Sequence, residues 1–149
     1  MIYTEITEIT VLCMIYDDDK ILLQNRIKKD WNGITFPGGH VNKNESFVKA
    51  VVREMKEETG LDIYSPQLCG VEQFLSNNNT RYLILLFKTN KFSGNVISSN
   101  EGEMLWIKRE DLHKHSLVKN FNDILKVFDC NDISELFYNS SNVSFPQYY

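Results

Sequence analysis

Apolar positions come in short runs along this chain, and one long amphipathic segment interrupts them. Residues 10–16 (TVLCMIY) are apolar and β-branched, Asp17, Asp18 and Asp19 break the run, and residues 20–26 (KILLQNR) resume it, which reads as a hairpin. A shorter strand is predicted at 33–36, stopped by Pro37 and a turn at Gly38 and Gly39. Runs at 67–75 and 80–88 predict two more strands joined through Asn77, Asn78 and Asn79, and 103–108 (EMLWIK) predicts another. Helical spacing marks 45–59 and 117–128, with a short helical turn near Asp111. Residues 133–138 fit either a helix turn or an edge strand, and 140–149 read as loop, so the tail is left unassigned. Strands in bursts around one central and one later helix predict a mixed sheet with helices packed on it, an α/β or α+β sandwich.

Composition narrows the function classes. A chain of 149 residues, 42% of them hydrophobic and without repeats or linkers, is expected to be a single domain over 1–149. A net charge of −4 supplies no basic field for duplex nucleic acid or an anionic membrane surface. An anionic ligand would therefore need a cation or a few well-placed basic side chains. Residues 1–10 carry two glutamates and no basic start, unlike a signal peptide, and no apolar run approaches the roughly 18 residues of a membrane span. Cys13, Cys69 and Cys130 are widely spaced and form no C-x-x-C pair, so they read as reduced thiols of a cytoplasmic protein. The N-x-S triplets at 44–46 and 142–144 carry no weight without a secretory signal.

The central helix changes the picture most. Asn44 is the expected N-cap, Glu45 falls in the first turn, and Gly60 is the expected stop. At about 100° per residue, Val48, Val51, Val52, Met55 and Thr59 share one arc, and Glu54, Glu57 and Glu58 share the next. Lys49, Arg53 and Lys56 take the remaining side. Like charges at i and i+4 repel by a few tenths of a kcal/mol, and Arg53 is placed to brace Glu57. Two readings are open from the helix alone: a solvated acidic face, or a site for a hard divalent cation. The glycine turn upstream favours the second, because a backbone carbonyl can approach there unobstructed.

These residues resemble the box of the Nudix hydrolases, G-x5-E-x7-R-E-U-x-E-E-x-G-U, where U is bulky and apolar. Gly39, Glu45, Arg53, Glu54, Met55, Glu57, Glu58, Gly60 and Leu61 fill it with every spacing intact. The F-P-G-G lead-in, the preceding hairpin and the E-x-E-x-x-W-I stretch look like MutT-type members, so the likeness covers about 8–112. It implies the Nudix fold, an α/β/α sandwich around a mixed sheet with the box as loop-helix-loop. It also implies hydrolysis of a nucleoside diphosphate linked to another group, with Mg2+ as cofactor and Mn2+ as a substitute. By matching position, Glu54, Glu57 and Glu58 would be metal ligands, with the Gly39 carbonyl beside them. Arg53 would orient a box glutamate, and Glu45 would support the site.

The general base varies across the family, with Glu57 and Glu58 ranked first as ligands and Glu101, ahead of Glu103, a base candidate. Arg26, in a Q-x-R arrangement, resembles phosphate-contacting arginines. His40 reads as a spectator, and Trp31 reads as core. Phe36 reads as core too, though it stands near the pocket as a substrate-side candidate. Asn120 and Asn122 open the last helix, where MutT-type enzymes set an amide against a purine edge; helix capping is the first reading for both, with Asn120 kept as a substrate-side candidate.

The resemblance favours a nucleoside triphosphate substrate, with an oxidised purine such as 8-oxo-dGTP leading, split to monophosphate and pyrophosphate. ADP-ribose, a dinucleoside polyphosphate, or a binding-only module are the alternatives. The proline that ADP-ribose enzymes carry after the box is replaced by Leu75, Ser76 and Asn77. Many relatives dimerise, which makes a homodimer the assembly the resemblance suggests.

Overall fold

The computed structural model describes residues 1–27, 30–139 and 145–149. Eleven strands occur among them: β1 Thr7–Asp17, β2 Lys20–Arg26, β3 Gly33–Thr35, β4 Gly38–His40, β5 Asp62–Ile63, β6 Gln67–Leu75, β7 Arg81–Thr89, β8 Phe92–Ser93, β9 Gly102–Lys108, β10 Glu135–Tyr138 and β11 Pro146–Tyr148. Two α-helices, α1 Phe47–Thr59 and α2 Phe121–Asp129, and a 3-10 turn at Arg109–Lys114 complete it. A nine-stranded sheet runs β11-β10-β6-β7-β1-β2-β3, with β4 on β1 and β9 on β2. It is mixed: β1 is parallel to β7 and β10 to β6, and the other pairs are antiparallel.

Both faces of the sheet are covered. β1 sends Val11, Cys13 and Ile15 into a cluster with Ala50, Val51 and Met55 of α1. From the same strand Met14 joins Phe121, Ile124 and Phe128 of α2 on the opposite side. A strand buried on both faces needs apolar residues throughout, which is why TVLCMIY is a run and not an alternation. The expected α/β/α sandwich is found.

Local details differ from expectation, each for a physical reason. Helix α1 begins two residues later than predicted, because Ser46 and not Asn44 is its N-cap. Ser46 is extended (φ −70°, ψ 151°) and its hydroxyl oxygen accepts from the Lys49 N–H at 3.1 Å. Asn44 lies just upstream in the left-handed region (φ 65°), and Glu45 stands before the helix. Val48 is half exposed, and Ala50 and Glu54 occupy the buried stripe instead. Gly60 ends the helix as expected, at φ 80°, donating its N–H to the Lys56 carbonyl.

The glycine turn is in fact a short strand, β4, pressed onto β1. A Cβ at Gly38 would collide with the Val11 carbonyl and the Leu12 side chain. Residues 117–120 are not helical, since Ile34 takes them: the Val118 N–H donates to the Ile34 carbonyl at 3.1 Å. In the tail, 135–138 takes the edge-strand form and 146–148 is a strand where loop was expected. Residues 140–144, including the triplet at 142–144, lie outside the described residues. The cysteines carry free thiols, and no described helix is long and apolar enough to cross a membrane.

Candidate active site

A cavity of about 590 Å3 opens between the glycine strand and the start of α2. Its α1 side is lined by Gly38, Gly39, Glu54 and Glu58; β2 adds Gln24 and Arg26, and Glu101 stands just before β9. Its α2 side is lined by Phe36, Glu72, Phe74, Tyr82, Asn120 and Ile124. The box and the substrate-side candidates thus share one hollow.

Arg53 organises the acidic end. Its Nε and Nη2 donate to both oxygens of Glu45, at 2.8 and 2.9 Å, a two-pronged pairing that fixes the fork. Nη1 donates to Glu54 at 2.8 Å and more weakly to Glu57 at 3.3 Å, and Nη2 also donates to the His40 carbonyl at 3.0 Å. Sequence spacing predicted Arg53 as the brace of Glu57; the structure makes it chiefly the brace of Glu45 and Glu54. The Arg53 hydrogen bonds, followed by the Asn42 N–H, hold the Glu45 carboxyl down to about 2. Glu45 in turn raises the Arg53 pKa, with Glu54 next.

The three box glutamates do not form one group. Glu54 is buried, and the Gly39 backbone lies so close that a Cβ there would overlap the Glu54 carboxylate. Glu58 also faces the cavity, with only long contacts from the Gly38 N–H (3.3 Å) and Gln24 Nε2 (3.4 Å). Glu57 points outward, its side chain 58% exposed and leaning on Arg53. Positions 54 and 58 lie about 40° apart on the helix while 57 turns away, so the sheet edge covers the first two only. Among the described residues no three acidic, thiol or imidazole groups converge tightly enough to hold a metal ion by themselves.

The donor set nevertheless fits a hard cation. Burial pushes the Glu58 carboxyl up to about 7; the Gly38 N–H opposes this, Glu54 and Glu101 add repulsion, and Arg26 offsets part of it. A desolvated carboxylate facing two others with one guanidinium nearby is an excess of negative charge that a divalent cation would neutralise. Glu54, Glu58 and the Gly39 backbone line this part of the cavity and could hold such a cation, with Glu57 at the rim.

Other predicted residues separate by environment. Arg26 lines the cavity, and its Nε is buried without a hydrogen-bond partner among the described residues. Phe36 is 2% exposed and stacked on Phe121 at 4.7 Å, so it forms the wall as part of the core. Trp31 packs against the α2-side cluster as expected for core while also lining the cavity. His40 is mostly exposed and 3.2 Å from Glu8, and Glu103 and Asn122 are exposed. Asn120 occupies the cap position of α2 but its side chain makes no capping hydrogen bond; its Nδ2 donates to Glu72 Oε1 at 2.9 Å. Sequence reasoning missed Glu72 altogether. The available signal was its place in QLCGVEQFL, on the same strand face as Gly70 and Phe74. Phe74 and Tyr82, stacked at 5.3 Å, were also missed as cavity residues.

The chain is similar to known proteins over most of its length. The NUDIX domain model matches residues 7–128. The Nudix hydrolase YvcI of Bacillus subtilis (strain 168) is 33% identical over 105 residues, 67% of this chain and 65% of that protein. The phosphatase NudJ of Escherichia coli (strain K12) is 30% identical over 82 residues, 53% of this chain and 52% of its own length. The chain thus spans between half and two thirds of these relatives. Among solved structures, a MutT protein of Bacillus halodurans superposes with TM-score 0.76 at 20% identity, covering 95% of this chain and 97% of that one. A MutT protein of Methanosarcina mazei Go1 gives 0.69 at 26%, covering 84% and 94%.

Proposed function

Because the chain belongs to the Nudix family, matched over residues 7–128, we propose that it is a divalent-cation-dependent hydrolase of a phosphoric anhydride in a nucleotide. The observation that carries this reading is a single cavity with Glu54 and Glu58 on its α1 side and Phe74, Tyr82 and Asn120 on its α2 side. Such a hollow suits a ligand that is polyanionic at one end and flat at the other.

Glu54, Glu58 and the Gly39 carbonyl would hold magnesium, or manganese in its place, and Glu57 would contribute from the rim. When bound, that cation neutralises phosphate oxygens and makes a water more acidic. The Arg53 fork holds Glu45 and Glu54 so that the oxygen donors do not need to reorganise. Arg26, which lines the cavity and whose charge acts on both Glu58 and Tyr82, would meet a phosphate oxygen. Glu101, close enough to raise the Glu58 pKa, is the candidate to take the proton of the attacking water. The likeness to MutT-type proteins favours a nucleoside triphosphate, with an oxidised purine such as 8-oxo-dGTP in front, cleaved to monophosphate and pyrophosphate.

The test is a magnesium-dependent screen of nucleoside triphosphates, 8-oxo-dGTP, ADP-ribose and diadenosine polyphosphates, ranked by kcat/KM with products identified. Turnover of ADP-ribose or a dinucleotide ahead of every triphosphate would overturn the substrate class. Binding without turnover under magnesium or manganese would make the domain a nucleotide-binding module.

A further inference from the structure

The C-terminal hairpin lies past residue 128, where the family match ends, and the hydrolytic reading makes no use of it. β10 adds to β6 in parallel, setting Leu136 beside Glu72 and Tyr138 beside Phe74, and both of those β6 residues line the cavity. β11 returns antiparallel, with Tyr148 opposite Leu136. Tyr138 is fully buried, and its hydroxyl donates to Asp123 Oδ2 at 2.7 Å. The Tyr148 hydroxyl donates to Asp123 Oδ1 at 3.0 Å, and Lys126 Nζ stands 4.2 Å from the centre of the Tyr148 ring. One carboxylate in the first turn of α2 therefore takes a hydroxyl from each strand of the hairpin.

With nine residues α2 is too short to persist on its own, so tertiary contacts must hold it. The Asn120 side chain gives it no cap, since the amide is turned to Glu72. Asp123 and Lys126 are three residues apart and share one side of the helix. Their contacts with Tyr138 and Tyr148 fix the rotation of α2 about its axis as well as its distance from β10. Asn120 and Ile124, one turn apart on α2, line the cavity, and their place follows from that rotation. Burial, followed by the Asp123 bond, pushes the Tyr138 hydroxyl far above its ordinary range and the Tyr148 hydroxyl up to about 12, so both remain donors.

We propose that Asp123 is a positioning residue: with Tyr138 and Tyr148 it sets the α2 wall of the cavity, and it thereby governs how tightly the nucleotide is held and not how fast the held nucleotide is cleaved. This rests on the reading of the cavity as the nucleotide site. The split follows from the layout. Glu54 and Glu58 stand on α1, which packs on β1 and β4, whereas the hairpin packs on β6 and α2. Loss of a hydroxyl contact lets α2 turn, which moves Asn120 and Ile124 and leaves the acidic end in place.

Tyr148→Phe removes one hydroxyl and keeps the ring beneath Lys126. With 8-oxo-dGTP and magnesium its KM should rise by about threefold to tenfold, while kcat stays within about twofold of wild type. Asp123→Ala releases both hydroxyls and should raise KM further. Adding Tyr148→Phe to it should then change KM by less than about twofold, since the contact is already gone. The control is the other end of α2, where Arg109 donates to both oxygens of Asp129 at 2.9 Å each. Asp129→Ala should leave KM within about twofold of wild type. An unchanged KM in Tyr148→Phe, a loss carried by kcat, or an equal rise in Asp129→Ala would overturn the assignment and leave the hydrolase reading standing. Should wild type favour another nucleotide of the screen, the same variants are read with that one. Should it turn over none, calorimetric binding of 8-oxo-dGMP separates the two readings. Weaker binding in Tyr148→Phe, with Asp129→Ala unchanged, supports the positioning role while the hydrolase reading fails. No binding and no turnover in wild type ends both.

Discussion

At the α1 end of the cavity Glu45 gives both oxygens to the Arg53 fork and Glu54 takes the remaining arm, whereas at the α2 end Glu72 accepts from one amide, and its other oxygen has no partner among the described residues. The same functional group is held down to about 2 in the first setting and pushed up to about 7 in the second. Glu58 belongs with Glu72 in acidity though it shares the acidic end with Glu45, because burial dominates there and no Arg53 hydrogen bond offsets it. The contrast separates two uses of a carboxyl. A saturated carboxylate is scaffolding; one left short of donors and facing the cavity, as Glu58 is, is where a cation would make up the deficit.

Breaking the unsaturated member of the acidic end should have the largest effect. Glu58→Gln should lower kcat/KM by about a thousandfold or more with the fold retained, read by circular dichroism beside kinetics. Glu57→Gln, at the exposed rim, should cost less, about tenfold to a hundredfold. An equal loss would show that Glu57 leaves Arg53 for the cavity once the cation arrives.

Gly39→Ala tests the close approach that sets the Glu54 carboxylate. Its Cβ would displace that group, so activity should fall by about a hundredfold while stability drops by only about 1–3 kcal/mol in urea unfolding.

The saturated member is tested through its fork. Arg53→Lys keeps the charge but cannot pair with both Glu45 oxygens, and should lower the urea-unfolding midpoint. A loss of activity without loss of stability would mean that Arg53 acts on the ligand directly.

The smallest effect is on pH dependence. Glu72 has a folded pKa raised from the ordinary 4.5 to about 7, so the folded state binds its proton more tightly than the unfolded chain does. Its contribution to stability is full below about 4.5 and is lost as pH rises through about 7, and Glu58 works in the same direction. The Tm of the metal-free protein should decline by several degrees across that window. Glu72→Gln, neutral at every pH, should flatten part of the decline and raise the Tm at pH 8.

The strand runs, the two helices, the Gly60 stop and the box were legible in the amino-acid order, because each rests on periodicity or spacing within a few dozen residues. Local competition hid the start of α1: Asn44 and Ser46 are both good caps, and in the fold Asn44 is left-handed while Ser46 takes the extended conformation of a cap. The residues around Asn120 looked helical until Ile34, far away in sequence, took their backbone groups. That three glutamates and an arginine stand at helical spacing after a glycine pair is a property of the amino-acid order alone. That Arg53 turns to Glu45, that Glu57 faces outward, and that Glu72 joins the cavity came only with the packed fold. Those outcomes depend on which distant strand lies against each side chain, and a carboxylate's partners and hydration are set by that packing, not by its neighbours along the chain.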